Sequence, residues 1–256
     1  MELAGKVAVI TGGIGGIGRA MAQAFLAEGA RGIMLADLDA DAVASAAAEL
    51  GCEGMACDVT DEAQIQSLAA AAAAKFGQID LFCSNAGGPS VGTILDITDD
   101  DWQKQWNLHV MAHVYAARTV VPGMLERGEG YLLNTASAAG LLAALGGGAY
   151  TVTKAACVKL SEFLAITYGD DGIGVSVLCP QGVNTAMGPK SLGDGQTDGI
   201  MEPEDLATVV VETIREERFH VLPHPEVEEY VRRKGDNIDR WLHGMRRLRR
   251  TSLGEE

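Results

Sequence analysis

Val7-Ala8-Val9-Ile10-Thr11-Gly12-Gly13-Ile14-Gly15-Gly16-Ile17-Gly18 is the stretch on which the fold turns. Four apolar residues bounded by Lys6 and a glycine cluster have the pattern of a buried parallel strand. Beyond the glycines, Met21, Phe25 and Leu26 follow a helical spacing up to Gly29. A strand, a glycine turn and a helix N-terminus in succession form a pyrophosphate site. Glycines let backbone amides come close to a ligand, and the helix dipole favours its negative charge. Gly12, Gly16, Ile17 and Gly18 are the candidate contacts. A glycine-rich loop alone is a weak signal; its place between strand and helix makes it specific.

Working outward, Gly32-Ile33-Met34-Leu35-Ala36 reads as a second strand with Asp37 at its carboxyl end. An acidic residue about 20 positions beyond the glycine loop is placed to accept a ribose 2′-hydroxyl. A carboxylate there repels a 2′-phosphate, so NAD is expected rather than NADP. Asp39 or Asp41 can cap the helix over 42–50, which leaves Asp37 to the ribose. The alternation continues with strands at 54–57, 79–83, 131–133, 175–179 and 219–222. Helices are expected at 61–76, 100–127, 149–168 and 203–218. This rhythm predicts a doubly wound, mostly parallel seven-stranded α/β sheet. Small residues close several strands, among them Asn85-Ala86-Gly87, and suggest close backbone approach to a ligand. No linker or composition break marks a second domain within 1–224. Residues 187–199, polar and glycine-rich, read as a mobile lid.

Ser137 follows the fifth strand, where a parallel sheet presents its reactive groups. Thirteen residues on, Tyr150 and Lys154 lie four apart on a predicted helix, hence on one face and one turn apart. A free tyrosine has a pKa of about 10, too high for proton transfer at neutral pH. An ammonium one turn away favours the phenolate. By itself such a pair arises often by chance. His109 and His113 have an i, i+4 spacing that can ligate a metal, but no third ligand supports them and no metal is expected.

Hydrophobic residues make up 47% of the 256 and charged residues 21%, as in an ordinary water-soluble domain. The net charge of −15 disfavours nucleic acid and anionic membrane as general partners. Cys52, Cys57, Cys83, Cys157 and Cys179 lack metal spacing and read as free thiols of a reducing compartment. No signal-peptide core precedes the first strand and no apolar run is long enough to span a bilayer, so a cytoplasmic location is expected. The exception to the acidic character is 225–256. There Tyr230, Trp241, Leu242, Met245 and Leu248 fit a basic helix with one apolar face, expected to pack on the body or on a neighbouring subunit. A membrane-surface helix is the other reading.

Thr11-Gly12-x-x-x-Gly16-x-Gly18, Asp37, Asp58, Asn85-Ala86-Gly87, Asn107, Ser137 and Tyr150-x-x-x-Lys154 together resemble the short-chain dehydrogenase/reductases. The resemblance covers about residues 6–222 and implies a three-layer Rossmann fold. It also implies hydride transfer between NAD and a carbonyl or alcohol, by a homotetramer or dimer. Ser137 matches the serine that hydrogen-bonds the substrate oxygen, and Tyr150 the proton donor or acceptor. Lys154 matches the lysine on the nicotinamide ribose, and Asn107 the asparagine that holds a relay water. Gly12, Gly16, Ile17, Gly18, Asp37, Asp58, Val59, Asn85, Ala86, Gly87, Pro180, Val183 and Thr185 match dinucleotide contacts, as do Tyr150 and Lys154.

Two positions depart from the pattern. Gln181 stands where Pro180 is usually followed by glycine, and Val110 replaces a common glycine. Neither removes a catalytic group. Leu141, Leu142, Ala144 and Leu145 suggest an apolar wall, and Gly146, Gly147 and Gly148 leave room beside it. An apolar secondary alcohol or ketone is therefore the expected substrate. The rival readings are a dinucleotide sensor or scaffold without turnover, and another reaction on the same fold such as double-bond reduction or sugar epimerisation.

Overall fold

The computed structural model describes residues 1–89, 92–186 and 198–255. Its strands are β1 (Val7–Thr11), β2 (Gly32–Asp37), β3 (Glu53–Ala56), β4 (Leu81–Ser84), β5 (Gly130–Thr135), β6 (Ile173–Leu178) and β7 (His220–Val221). They form one sheet in the order β3-β2-β1-β4-β5-β6-β7, and every pairing is parallel. Successive strand residues face opposite layers. Ala8, Ile10, Ile33 and Leu35 join one core with α1 (Gly16–Ala27), α2 (Ala40–Leu50) and α8 (Pro203–Glu216). Val9, Met34, Phe82 and Leu132 join the other with α3 (Glu62–Phe76), α5 (Ala112–Arg127) and α7 (Gly148–Tyr168). This is the three-layer Rossmann arrangement. Burial of side chains such as Phe25, Ile65 and Leu133 contributes about 1.5–3 kcal/mol each to holding the layers together.

Helix starts follow capping chemistry. Asp39 caps α2 by accepting from the amides of Asp41 and Ala42, both at 3.0 Å, and Asp61 caps α3 through Ala63 at 2.9 Å. Asp37 is therefore free of that duty. The α1 N-terminus begins at Gly15 with no side-chain cap and no acidic residue in its first turn.

Three elements differ from the sequence reading. The helix expected over 100–127 is broken into α4 (Asp99–Trp106), a π-helical turn (Asn107–Met111) and α5. A π turn adds a residue per turn and resets the side-chain phase between the flanking helices. A short helix, α6 (Ala138–Leu141), follows Ser137, whose Oγ accepts from the Ala139 amide at 3.2 Å and so starts it. The C-terminal segment is two helices, α9 (Glu226–Asp236) and α10 (Ile238–Ser252). Asn237 lies extended between them and accepts the Arg240 amide at 2.9 Å, capping α10. Leu242 is 48% exposed and does not share the apolar stripe of Trp241, Met245 and Leu248. The expected lid over 187–199 falls, apart from Asp198 and Gly199, outside the described residues.

Candidate active site

Strand order reverses between β1 and β4, and in open parallel sheets ligands bind outside the carboxyl ends at such a point. Thr11 Oγ1 ties the two strand ends together by accepting from the Asn85 and Ala86 amides at 3.0 and 3.2 Å. The Asn85 side chain donates to the carbonyls of Thr11 and Gly12 at 3.1 and 3.3 Å and accepts from Thr135 Oγ1 at 3.1 Å. Asn85, just past β4, thus ties the glycine turn to the end of β5.

At Gly12, Gly16 and Gly18 there is no room for a side chain. Gly12 has φ +64°, and a Cβ on it would lie 2.9 Å from Ala86 Cα. On Gly18, a Cβ would fall 2.2 Å from the Gly12 carbonyl oxygen. Thr185, past β6, closes the turn from the other side, its Cγ2 lying 2.7 Å from where a Gly16 Cβ would sit. Val183, two residues earlier, is buried.

Asp37 ends β2 half-buried, accepting from its neighbour Leu38 at 2.9 Å and at longer range from the Ile14 amide at 3.4 Å. The nearby cations are engaged elsewhere. Arg19 pairs with Glu49, and Arg31 donates to the carbonyls of Gly5 and Phe76 at 3.3 and 2.7 Å. Asp58 holds Thr60 by its amide at 2.9 Å and its hydroxyl at 2.7 Å, beside buried Val59.

The second group of residues lies across β5 and α7. Lys154 is buried, its Nζ donating to the Thr135 carbonyl at 2.9 Å and standing 5.7 Å from the centre of the Tyr150 ring. Ser137 Oγ, besides accepting the Ala139 amide, makes a long 3.4 Å contact to the Pro180 carbonyl, which also accepts the Ala138 amide at 2.9 Å. Ser137 and Tyr150 line one cavity with Gly88, Pro180 and Leu142. Asn107 opens the π turn, half-buried, with Oδ1 accepting from Gln103 at 2.8 Å. Among the described residues no hydrogen bond joins Asn107 to Tyr150 or Lys154.

The sequence reading weighs His109 only as a metal ligand and so misses its place beside the tyrosine. Its ring meets Tyr150 edge-on at 5.5 Å between centroids. Nε2 accepts the Gly88 amide at 3.1 Å, so the proton sits on Nδ1, which donates to Thr153 Oγ1 at 3.1 Å. That hydroxyl in turn donates to the Ala149 carbonyl at 2.8 Å. Burial, and then the Lys154 charge, push the His109 pKa down to about 2. His113 has separate partners, Asn134 Oδ1 at 3.1 Å and Cys157 Sγ at 3.7 Å, and the same causes push it down to about 4. A buried neutral histidine two residues past Asn107 carries no sequence pattern of its own; it lies buried within the π turn.

The C-terminal helices form the far side of the same cavity, whose volume is about 1240 Å³. Lys234 of α9 donates to the carbonyls of Leu141 and Leu142 at 2.6 and 3.1 Å, tying the tail to the segment after Ser137. Tyr230 donates to Asp198 at 2.9 Å, and Gln181 Nε2 donates to the other oxygen of that carboxylate at 2.8 Å. Gln181 Oε1 stays buried with no partner among the described residues, an acceptor left at the cavity wall. Of the expected apolar wall, Leu142 and Ala144 line the cavity with Gly146 and Gly147; Leu141 packs instead behind it against the core around Cys157.

The model of the short chain dehydrogenase family matches residues 6–194. The chain belongs to the short-chain dehydrogenases. Among its relatives, the 1-deoxy-11-beta-hydroxypentalenate dehydrogenase of Streptomyces exfoliatus is 33% identical, over 95% of this chain and 91% of that one. The 3beta-hydroxysteroid dehydrogenase 2 of Eggerthella lenta is 37% identical, over 73% and 74% respectively. A short chain dehydrogenase/reductase from Burkholderia phymatum, solved in complex with NAD, superposes with a TM-score of 0.84. It is 34% identical and covers 93% of this chain and 96% of its own. The chemistry of this short-chain dehydrogenase is therefore alcohol–carbonyl oxidoreduction in general terms.

The residues present fit a dinucleotide. The amides of Gly16, Ile17 and Gly18 have no partner among the described residues, and they lie at an uncapped helix N-terminus beside a turn where Gly12, Gly16 and Gly18 leave no room for a Cβ. No group of three His, Cys, Asp or Glu suited to a metal occurs among the described residues. No helix there is long and apolar enough to cross a membrane.

Proposed function

We propose that this short-chain dehydrogenase interconverts a secondary alcohol and a ketone with NAD, using Tyr150 as the general acid and base. The observation that carries the reading is the Tyr150 ring beside the buried Lys154 ammonium, with Ser137 in the same cavity wall. When bound, the nicotinamide would accept or supply the hydride. Tyr150 takes the alcohol proton in oxidation and returns it in reduction. Ser137, whose hydroxyl proton makes only a long contact to Pro180, turns that proton to the same oxygen and stabilises developing negative charge. Lys154, anchored by Thr135, places its charge beside the Tyr150 ring and is assigned to the nicotinamide ribose. Asn107 is assigned the relay water. Asp37 accepts from the adenosine ribose, and the unprotected amides of 16–18 take the pyrophosphate, with Asp58, Val59, Ala86, Gly87, Val183 and Thr185 around them.

NAD binding by the Burkholderia phymatum relative supports the cofactor assignment, and the engagement of Arg19 and Arg31 elsewhere supports NAD over NADP. The relatives named for a hydroxypentalenate and a 3beta-hydroxysteroid support an apolar alcohol as substrate. Five free cysteines, four of them buried, support a reducing, cytoplasmic setting. We assign a homodimer or homotetramer. Val152, Phe163 and Ile166 leave α7 with apolar side chains 46%, 60% and 83% exposed, a face suited to a second subunit.

The test is Tyr150→Phe, which keeps the ring and removes its exchangeable proton. A panel of apolar alcohols and ketones, followed by NADH absorbance, should show at least about a 10²-fold loss in kcat with unchanged melting. Turnover within a few-fold of wild type would refute the mechanism.

A further inference from the structure

We propose that α10 closes the catalytic cavity over a substrate with an apolar body and a carboxylate, the carboxylate held by Arg240 and Arg247. The inference rests on the dehydrogenase reading for the reacting end and extends it to the distant end.

The helix itself poses the question. Trp241, Gly244, Met245 and Leu248 fall at i, i+3, i+4 and i+7, one stripe of a helix. All four line the cavity that holds Ser137 and Tyr150. Elsewhere such a stripe enters protein core, as Leu206, Val210 and Ile214 of α8 do, yet α10 buries no residue. Its apolar side faces a cavity, and the cavity continues to the catalytic tyrosine. About 1240 Å³ exceeds the roughly 300–1,000 Å³ of ordinary small-molecule sites, so a short alcohol would leave the stripe wet. An apolar body long or broad enough to reach from Tyr150 to Trp241 would cover it.

The charge of the wall selects among apolar bodies. Five arginines lie on α10, but only Arg240 and Arg247 line the cavity; Arg246, Arg249 and Arg250 do not. The two are seven apart, hence on one side of the helix and beside the stripe. Neither has an ion-pair partner among the described residues. Arg233 of α9 also lines the cavity but is held by Glu229 at 2.7 Å. Two carboxylates share the lining. Asp198 is already engaged by Gln181 and Tyr230, which leaves Asp236 against two arginines. In a chain of net charge −15 this cationic surplus is local, and it complements an anion. A membrane surface would be met by the arginines that face away from the cavity, and the apolar stripe would then lie on the wrong side.

The experiment uses the full-length protein and three probes of one chain length: laurate, methyl laurate and 1-dodecanol, each at concentrations where it stays monomeric. Binding is read by tryptophan fluorescence, with Trp241→Phe to assign the signal. Laurate should bind at least about tenfold tighter than the ester or the alcohol at low salt. Arg240→Gln/Arg247→Gln should reduce that preference below about threefold, and Arg240→Lys/Arg247→Lys should keep most of it. Equal binding of acid and ester, no saturable binding of either, or a preference that survives the glutamine variant would overturn the proposal. So would sedimentation in which the glutamine variant alone falls apart into monomers, since α10 would then cover a second copy. Binding is measured without turnover, so acid preference with an inactive protein would strike the dehydrogenase reading and leave this one standing. Turnover of apolar ketones with no acid preference would do the reverse.

Discussion

Replacing His109 by leucine keeps much of the volume of the buried ring and removes both of its hydrogen bonds. The Gly88 amide loses its acceptor, and an amide left unsatisfied costs about 1–3 kcal/mol, towards the lower figure here because Gly88 is only half-buried. Thr153 loses a donor worth about 1 kcal/mol but keeps its bond to the Ala149 carbonyl. The edge contact to Tyr150 adds about 0.5–1.5 kcal/mol, part of which leucine packing restores. His109→Leu should therefore cost about 2–3 kcal/mol, a fall in Tm of about 4–12 °C for a chain of this size. His109→Gln can present a carbonyl to Gly88 and an amide to Thr153, so its cost should stay near 1 kcal/mol or below. Denaturant unfolding by circular dichroism measures both. The catalytic arm follows from place: Thr153 and Tyr150 share the first turns of α7. The leucine variant should lose about tenfold in kcat with little change in KM for NAD, and the glutamine variant should recover most of it. If leucine and glutamine are equally harmful, or leucine leaves stability within about 0.5 kcal/mol of wild type, the hydrogen bonds do not hold the tyrosine as argued.

Two further outcomes follow from the same geometry. His109 and His113 have folded pKa values pushed down to about 2 and about 4 by burial and then by Lys154, against about 6.5 in an unfolded chain. The unfolded state then takes up protons that the native state refuses. Stability present above pH 6.5 is lost as pH falls, down to about 4 for His113 and on to about 2 for His109; the loss is on the order of 2–3 kcal/mol between pH 7 and 5.5 for the pair, and His109→Gln should roughly halve that slope in melts against pH. For the cofactor, NAD should exceed NADP by at least about tenfold in kcat/KM, or roughly 1.4 kcal/mol, and Asp37→Ala should erode the margin mainly by weakening NAD. Equal kcat/KM for the two cofactors in the unaltered protein would refute the role given to Asp37.

The parts legible in the sequence are those set by backbone and short-range chemistry. A central parallel strand must be apolar on both faces, and a turn that brings amides to a ligand must lack side chains wherever its backbone packs closely. The runs at 7–10 and 32–36 and the glycines that follow the first therefore appear in the structure where the pattern places them, the two strands each one residue longer. Asp39 and Asp61 behave as caps because capping is local, and reading the cap as Asp39 or Asp41 is what left Asp37 for another role. Ser137 and Tyr150 line one cavity, and Lys154, bonded to the Thr135 carbonyl at the end of β5, stands beside the Tyr150 ring.

What escaped depends on contacts between distant parts of the chain. A π turn is one residue out of phase with the helix around it, and over 100–127 the apolar spacing is too irregular to show so small a slip. His109 consequently looked like half of a metal pair, when its two partners lie 21 and 44 residues away. The tail escaped for a different reason. Its stripe was visible, but an amphipathic helix announces only that something apolar faces it, never whether that is core, a neighbour or a ligand. Lys234 decides the matter for α9, since its ammonium reaches two carbonyls just past Ser137 and binds the tail to the catalytic segment. For α10 no such bond exists among the described residues, and its arginines rather than its apolar residues say what it faces. A body that only filled space would need the stripe alone. The placement of Arg240 and Arg247 beside it, with three further arginines of the same helix turned away, is the asymmetry that a carboxylate would explain.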